Sequence, residues 1–118
     1  MAESALRTKS VEFAKDVVLT CRKLRSAGVE TVLINQLLRC GTSVGANIHE
    51  AQFAQGTKDF ISKFEIALKE CNESDYWLTL LRETAGMSAV DYERLAGRCD
   101  ELRRMLISSV TTLKGKGT

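Results

Sequence analysis

Between Thr31 and Ala54 the chain carries only two charged side chains, Arg39 and Glu50, on a stretch with a clear helical period. At about 100° per residue, Leu33, Leu37, Gly41, Val44, Ile48 and Ala51 form one side of this helix. Leu38, Thr42, Gly45, His49 and Phe53 form the opposite side, with Ile34 at its edge. A bundle helix normally has one apolar stripe and one solvated face, so a helix that is apolar all round is buried on more than one side. A chain of 118 residues can build one core but not two. A second copy of the chain is therefore expected to cover the outer side. Gly41, Gly45 and Ala46 are expected to admit its backbone closely.

The remaining sequence reads as more helix. There is no proline, and the eight glycines follow no period. This points away from turn-rich β structure. Leu6, Ser10, Phe13, Val17, Cys21 and Leu24 step by threes and fours, which places a first helix over 4–26 with Gly28 as its terminator. A second helix is expected over 31–54. Gly56 and the N-cap candidate Thr57 lead into a third over 58–85. There Phe60, Phe64, Ala67, Cys71, Ser74, Leu78 and Leu81 make a coiled-coil-like seam. Gly86 ends it. Ser88 and Asp91 have capping-box spacing before a fourth helix over 89–114 whose apolar side is Leu95, Cys99, Leu102, Leu106 and Leu113. The tail from Lys114 onward is expected to fray. Four helices joined by three short loops predict one all-α domain, an up-down-up-down antiparallel four-helix bundle.

Cys21, Cys40, Cys71 and Cys99 fall one to each helix, with no CxxC and no neighbouring His. Their heights along the bundle are expected to spread over roughly 7 to 22 Å, too far for ligands that each need to sit about 2.3 Å from one zinc ion. Packing as small hydrophobes is the expected role. No metal or other cofactor is expected.

A polar line separates the two apolar sides of helix two: Gln36, Arg39, Ser43, Asn47 and Glu50. Buried polar groups need partners, so this line is expected to mate with polar groups on a neighbour. Counted back from a hairpin at Gly56, Arg39 stands level with Asn72 and Glu73, which predicts an ion pair to Glu70 or Glu73. Gln36 is expected near Asp75, and Glu50 near Lys58 or Ile61. Trp77 is expected to fill the end of the bundle or a subunit seam.

Arg39-x-x-Thr-Ser43-Val-Gly-Ala-Asn47-Ile-x-Glu50-Ala, then Lys58-Asp-Phe60-Ile and Ala67-Leu-Lys-Glu70-x-Asn-Glu73-x-x-Tyr-Trp77-Leu, resembles the bacterial four-helix-bundle family, also called the 23S ribosomal RNA intervening-sequence protein family. The resemblance implies a four-helix bundle assembling as a ring-shaped homopentamer. It also implies kinship with the accessory variability determinant of diversity-generating retroelements, a basic pentamer that binds reverse transcriptase. His49 departs from the small residues usual at that position in the family.

No catalytic constellation stands out. His49 is the only histidine and has no carboxylate or cysteine at a recognisable spacing. The Glu-x-x-His signature of di-iron bundles is absent. A non-enzymatic binding scaffold is therefore expected. Its interface residues are taken as Arg39, Ser43, Gly45, Asn47, Glu50, Phe53, Glu70, Glu73 and Trp77. Helix one carries Arg7, Lys9, Lys15, Arg22, Lys23 and Arg25 against Glu12 and Asp16, a net +4 in a chain of net +2. Arg7, Lys15, Arg22, Lys23 and Arg25 are thus candidates for binding RNA or DNA. The competing expectation is a protein-interaction scaffold with no nucleic-acid role. With no apolar run of about 18 residues and no apolar signal core, a cytoplasmic location is expected.

Overall fold

The computed structural model describes residues 2–116. Four helices, α1 (Ala2–Ser26), α2 (Thr31–Ala51), α3 (Thr57–Thr84) and α4 (Ala89–Lys116), make up nearly all of it. They follow one another around a square, α1 on α2, α2 on α3 and α3 on α4, and α4 closes onto α1. The result is a rod 49 × 21 × 20 Å.

The first turn shows how local sequence sets this topology. Gly28 has φ 83°, and Val29 N–H donates to Leu24 O at 3.1 Å while Gly28 N–H donates to Arg25 O at 3.0 Å. These are the two bonds of a Schellman motif, whose left-handed residue is cheapest as glycine. It reverses the chain within four residues and makes α1 and α2 antiparallel neighbours.

The core is built from the expected stripes. Leu6, Ser10, Phe13, Val17, Cys21 and Leu24 of α1 are buried, as are Phe64, Ala67, Cys71, Ser74, Leu78 and Leu81 of α3. Phe60, at the open end of the α3 seam, is only half-buried. On α2 the expected stripe holds from Leu37 through Gly41, Val44 and Ile48 to Ala51 and differs only at its start, where Ile34 is fully buried and Leu33 only partly. On α4, Val110 is buried where Leu113 was expected to be.

Five helix ends differ from the sequence reading, among them α1, which opens at Ala2, and α3, which ends at Thr84. Helix two stops at Ala51, three residues early, so Phe53 lies in the turn and not on the helix. Gly56, not Thr57, is the N-cap of α3; no side chain caps it there, and the Asp59 carboxylate instead accepts from the Gln55 N–H at 3.1 Å. Helix four runs to Lys116, anchored by Lys114 Nζ on Glu65 Oε2 at 2.8 Å. Residues 117–118 of the tail expected to fray lie outside the described residues. The Ser88–Asp91 box is half made. Asp91 N–H donates to Ser88 Oγ at 3.0 Å, while the Asp91 carboxylate turns to Lys23 and Arg94.

All four cysteines are free and buried. Their heights spread much as expected: Cys21 Sγ reaches Ile34 O at 3.8 Å, six residues along α2 from Cys40 and about 9 Å away in height. Ser74 Oγ lies 3.4 Å from Cys40 Sγ, and Cys99 Sγ donates to Cys71 O at 3.3 Å. Cys40, Cys71 and Cys99 thus fall within about one helical turn of each other. Among the described residues, no three His, Cys, Asp or Glu side chains group as a metal site would need. Burial pushes the Cys21 thiol up to about 11 and raises Cys40. Because the thiolate is the nucleophile, none of the four should react with Ellman's reagent at pH 8 in the native protein, and all four should react in denaturant. Native-state titration of even one thiol would show that the core opens.

Candidate functional site

The α2–α3 seam holds the predicted ion pair in a forked form. Arg39 Nη1 lies 3.5 Å from Glu70 Oε2, and Nη2 bonds Glu73 Oε2. The same Glu73 oxygen accepts from Trp77 Nε1 at 3.1 Å. The Glu70 side chain is only 10% exposed, whereas that of Arg39 is half exposed. One guanidinium therefore serves two carboxylates, one of them nearly enclosed, and the cluster retains a net charge of −1. Trp77 is half-buried against the core, with Tyr76 packed edge-on at 4.9 Å and exposed to solvent.

The rest of the polar line behaves differently from expectation. Ser43 Oγ donates to Arg39 O at 2.8 Å and Asn47 Nδ2 to Ser43 O at 2.9 Å, so both are satisfied on their own helix. Thr42 does the same to Leu38 O at 2.7 Å. An i−4 carbonyl is always within reach of a short polar side chain, and here it wins over the neighbouring helix. Gln36 makes no bond to Asp75, whose carboxylate meets Arg103 at 3.3 Å. Glu50 is exposed and makes no ion pair to Lys58.

The two glycines of α2 are used inside the protomer. A Cβ on Gly41 would stand 2.9 Å from Val17 Cγ2, and one on Gly45 would stand 3.2 Å from Ser10 Oγ. The close approach they permit is that of α1. Beyond this contact the outer side of α2 remains uncovered: Ala46, His49 and Phe53 are exposed, Phe53 to 70%, and Leu38 and Thr42 are half-buried. His49 meets only Phe53, edge-on at 5.6 Å, and Gln52 Nε2 at 3.4 Å. Val11, half exposed, and Val18 fall on the adjoining edge of α1. Ion pairs cross α1–α4, α2–α3 and α3–α4, but among the described residues none crosses α1–α2.

The basic residues of helix one do not form one stripe. Lys15 pairs with Glu12 at 3.8 Å, and Arg7 is about 22 Å along the helix from Arg22. Arg22, Lys23 and Arg25 do gather at the C-terminal end, and Arg22 and Arg25 make no ion pair. On the α4 side a charge ladder joins the helices. Lys9 meets Glu101 at 3.2 Å; Asp16 meets Arg94 at 2.8 Å and Arg98 at 3.5 Å; Lys23 meets Asp91 at 2.8 Å. Arg94, which looks scattered in the sequence, is thereby joined to Lys23 through Asp91, and Arg98 sits one turn further along on Asp16. The signal was available: Lys9, Asp16 and Lys23 are spaced by seven with alternating sign, facing Glu101, Arg98, Arg94 and Asp91 read backwards.

The hydrogen bond from Lys23 holds the Asp91 carboxyl below its ordinary value, with Arg94 adding to the effect. A depressed folded-state pKa contributes stability that is present above the unfolded value near 4 and lost as pH falls through the folded value. Asp91→Asn should therefore lower stability at pH 7 and leave a shallower loss below pH 4, measured by urea midpoints across pH. Equal slopes in parent and variant would contradict this.

A cavity of about 420 Å³ opens at the end of the rod where α1 begins, lined by Ala51, Ala54, Thr57, Phe60 and Leu113 with Glu3 at its side.

Residues 3–108 match the 23S rRNA-intervening sequence protein family. The chain belongs to that family. A crystal structure of a protein of unknown function from the S23 ribosomal protein family of Bacteroides thetaiotaomicron is similar over 94% of this chain and 99% of its own, with 42% identity and a TM-score of 0.90. No curated protein matches. This 23S rRNA-intervening sequence family member has no strand among its described residues, and none of its described helices is long and apolar enough to cross a membrane.

Proposed function

We propose that this 23S rRNA-intervening sequence family member is a non-enzymatic, cytoplasmic scaffold. Its copies assemble, as a pentameric ring if the family resemblance holds for assembly, over the α1–α2 face. The assembly binds nucleic acid, or a nucleic-acid enzyme such as a reverse transcriptase, through the cationic end of α1. The observation that carries the reading is the uncovered α1–α2 face, apolar and bridged by no ion pair while the other three seams are charged. An apolar face of this kind on a small soluble domain marks an interaction surface. The family's name, which refers to 23S ribosomal RNA, makes RNA the first nucleic acid to test.

Light scattering tests the assembly. The parent should have a mass several times the 13.1 kDa of one chain, five times for the ring. Ala46→Glu, which places a charge on the exposed outer side of α2, should give a monomer of unchanged helicity. A monomeric parent would end this reading. A protein scaffold without a nucleic-acid role remains the second reading, favoured by the exposed Tyr76 beside Trp77 and by Val32, 71% exposed. Co-purification of a partner that survives nuclease treatment would select it.

A further inference from the structure

At the end of the rod where α1 begins, three hollows meet around Glu3 and Phe60. The largest of them, about 540 Å³, reaches Ile48 and Phe64, which are 2% and 1% exposed, and has Ser4, Arg7 and Gln52 at its rim. The others, about 420 and 260 Å³, run over Leu113, one towards Ala54 and the other towards Ser109. The ends of the helices account for the opening. Helix two stops at Ala51, and the turn after it carries Phe53 out to 70% exposure. Phe60 is left half-buried at the end of the α3 seam, its ring tilted against that of Phe64 with centroids 4.5 Å apart. A concave apolar wall with a few polar groups at its edge is the usual form of a small-molecule site.

The two charged side chains at the rim differ in what they need. Glu3 lies in the first turn of α1, where the helix dipole already favours an acid. Arg7, one turn on, is half-buried, and among the described residues no acid pairs with it. A guanidinium beside an apolar wall, with no carboxylate of its own, matches a carboxylate on a ligand. Glu3 lines all three hollows and disfavours a second negative charge within them.

We propose that this cleft binds a small apolar monocarboxylate. The tail lies along Phe60, Phe64, Ile48 and Leu113, and the carboxylate accepts hydrogen bonds from Arg7. The site stands apart from the cationic end of α1 and does not depend on the nucleic-acid reading.

The experiment is isothermal titration calorimetry of the full chain with decanoate, kept below its micellar concentration. Decanoate should bind with a negative heat-capacity change, the mark of apolar burial. Decylamine and the dicarboxylate sebacate should each bind about tenfold more weakly or not at all. Arg7→Gln should weaken decanoate about tenfold, the loss expected for a hydrogen bond to a charged group. Phe60→Ala, at a half-buried wall position, should weaken it as well, with helicity by circular dichroism unchanged in both variants. Ala46→Glu, on the outer side of α2, should bind as the parent does. A parent that takes up no decanoate overturns the proposal, as does parental affinity in Arg7→Gln or in Phe60→Ala. Binding lost in Ala46→Glu but kept in Arg7→Gln would put the tail on the α1–α2 face and also overturn it.

Discussion

Arg39→Met should lower the stability of the bundle by about 3 kcal/mol, the lower end of what breaking a buried ion pair costs, because the arginine side chain itself is half exposed. The loss comes from what is left behind. Glu70, 10% exposed at its side chain, would keep a carboxylate with no cation in reach, and Glu73 would keep only the Trp77 indole. Methionine preserves helix propensity and most of the packed stem, so neither of those accounts for the change. Trp77 is the sole tryptophan and sits on the same carboxylate, so its emission reports both the local rearrangement and global unfolding. Adding Glu70→Gln to Arg39→Met should recover part of the loss, since a neutral amide is cheaper to enclose than an unpaired charge. An Arg39→Met midpoint in urea equal to the parent's would show that solvent already screens Glu70.

A comparable loss, also about 3 kcal/mol, is expected for Gly41→Val, from overpacking. The space above Gly41 is filled by Val17, whose two methyl groups lie 2.9 and 3.0 Å from the position of a Cβ, and Val17 is itself fully buried. A β-branched side chain there must push α1 away from α2 along the seam that has no ion pair to hold it. Val17→Ala should destabilise the parent by opening a cavity, yet stabilise the Gly41→Val background. A double-mutant cycle then gives a coupling of opposite sign to either single change. Additive effects would mean that α1 shifts freely at this point and that the glycine is not needed for close packing.

The fold was legible because each helix repeats its buried positions at three and four, and because glycine marks the turns at 28, 56 and 86. The Arg39 ion pair was legible too, since hairpin geometry counted from Gly56 brings residues 39 and 70–73 level. Helix two was read three residues too long because Gln52-Phe53-Ala54 continues the apolar pattern after the backbone has turned. Gly41 and Gly45 announce a close approach without saying of what; only the packed chain assigns that approach to Val17 and Ser10 of α1. Ser43 and Asn47 were expected to seek a neighbour, but a carbonyl one turn back was nearer. The charge ladder between α1 and α4 was missed for a topological reason. Its halves are some seventy residues apart in sequence, and charge counted helix by helix hides Asp16 and Asp91 beneath Arg94, Arg98 and Lys23.

Three of the four seams join helices that follow one another in the chain, but α1 and α4 must find each other across its whole length, the contact with the greatest loop entropy to overcome. The ladder makes that last docking unambiguous. Were α4 to slide one heptad along α1 in one direction, Glu101 would oppose Asp16 and the arginines would oppose Lys23. In the other direction, Asp91 would oppose Asp16 and Arg94 would oppose Lys9. Apolar stripes repeating every seven residues would tolerate either slip, since leucine packs on leucine in any of them. Like charges do not, and so the alternating signs at 9, 16 and 23 encode which of several equally greasy alignments is the native one.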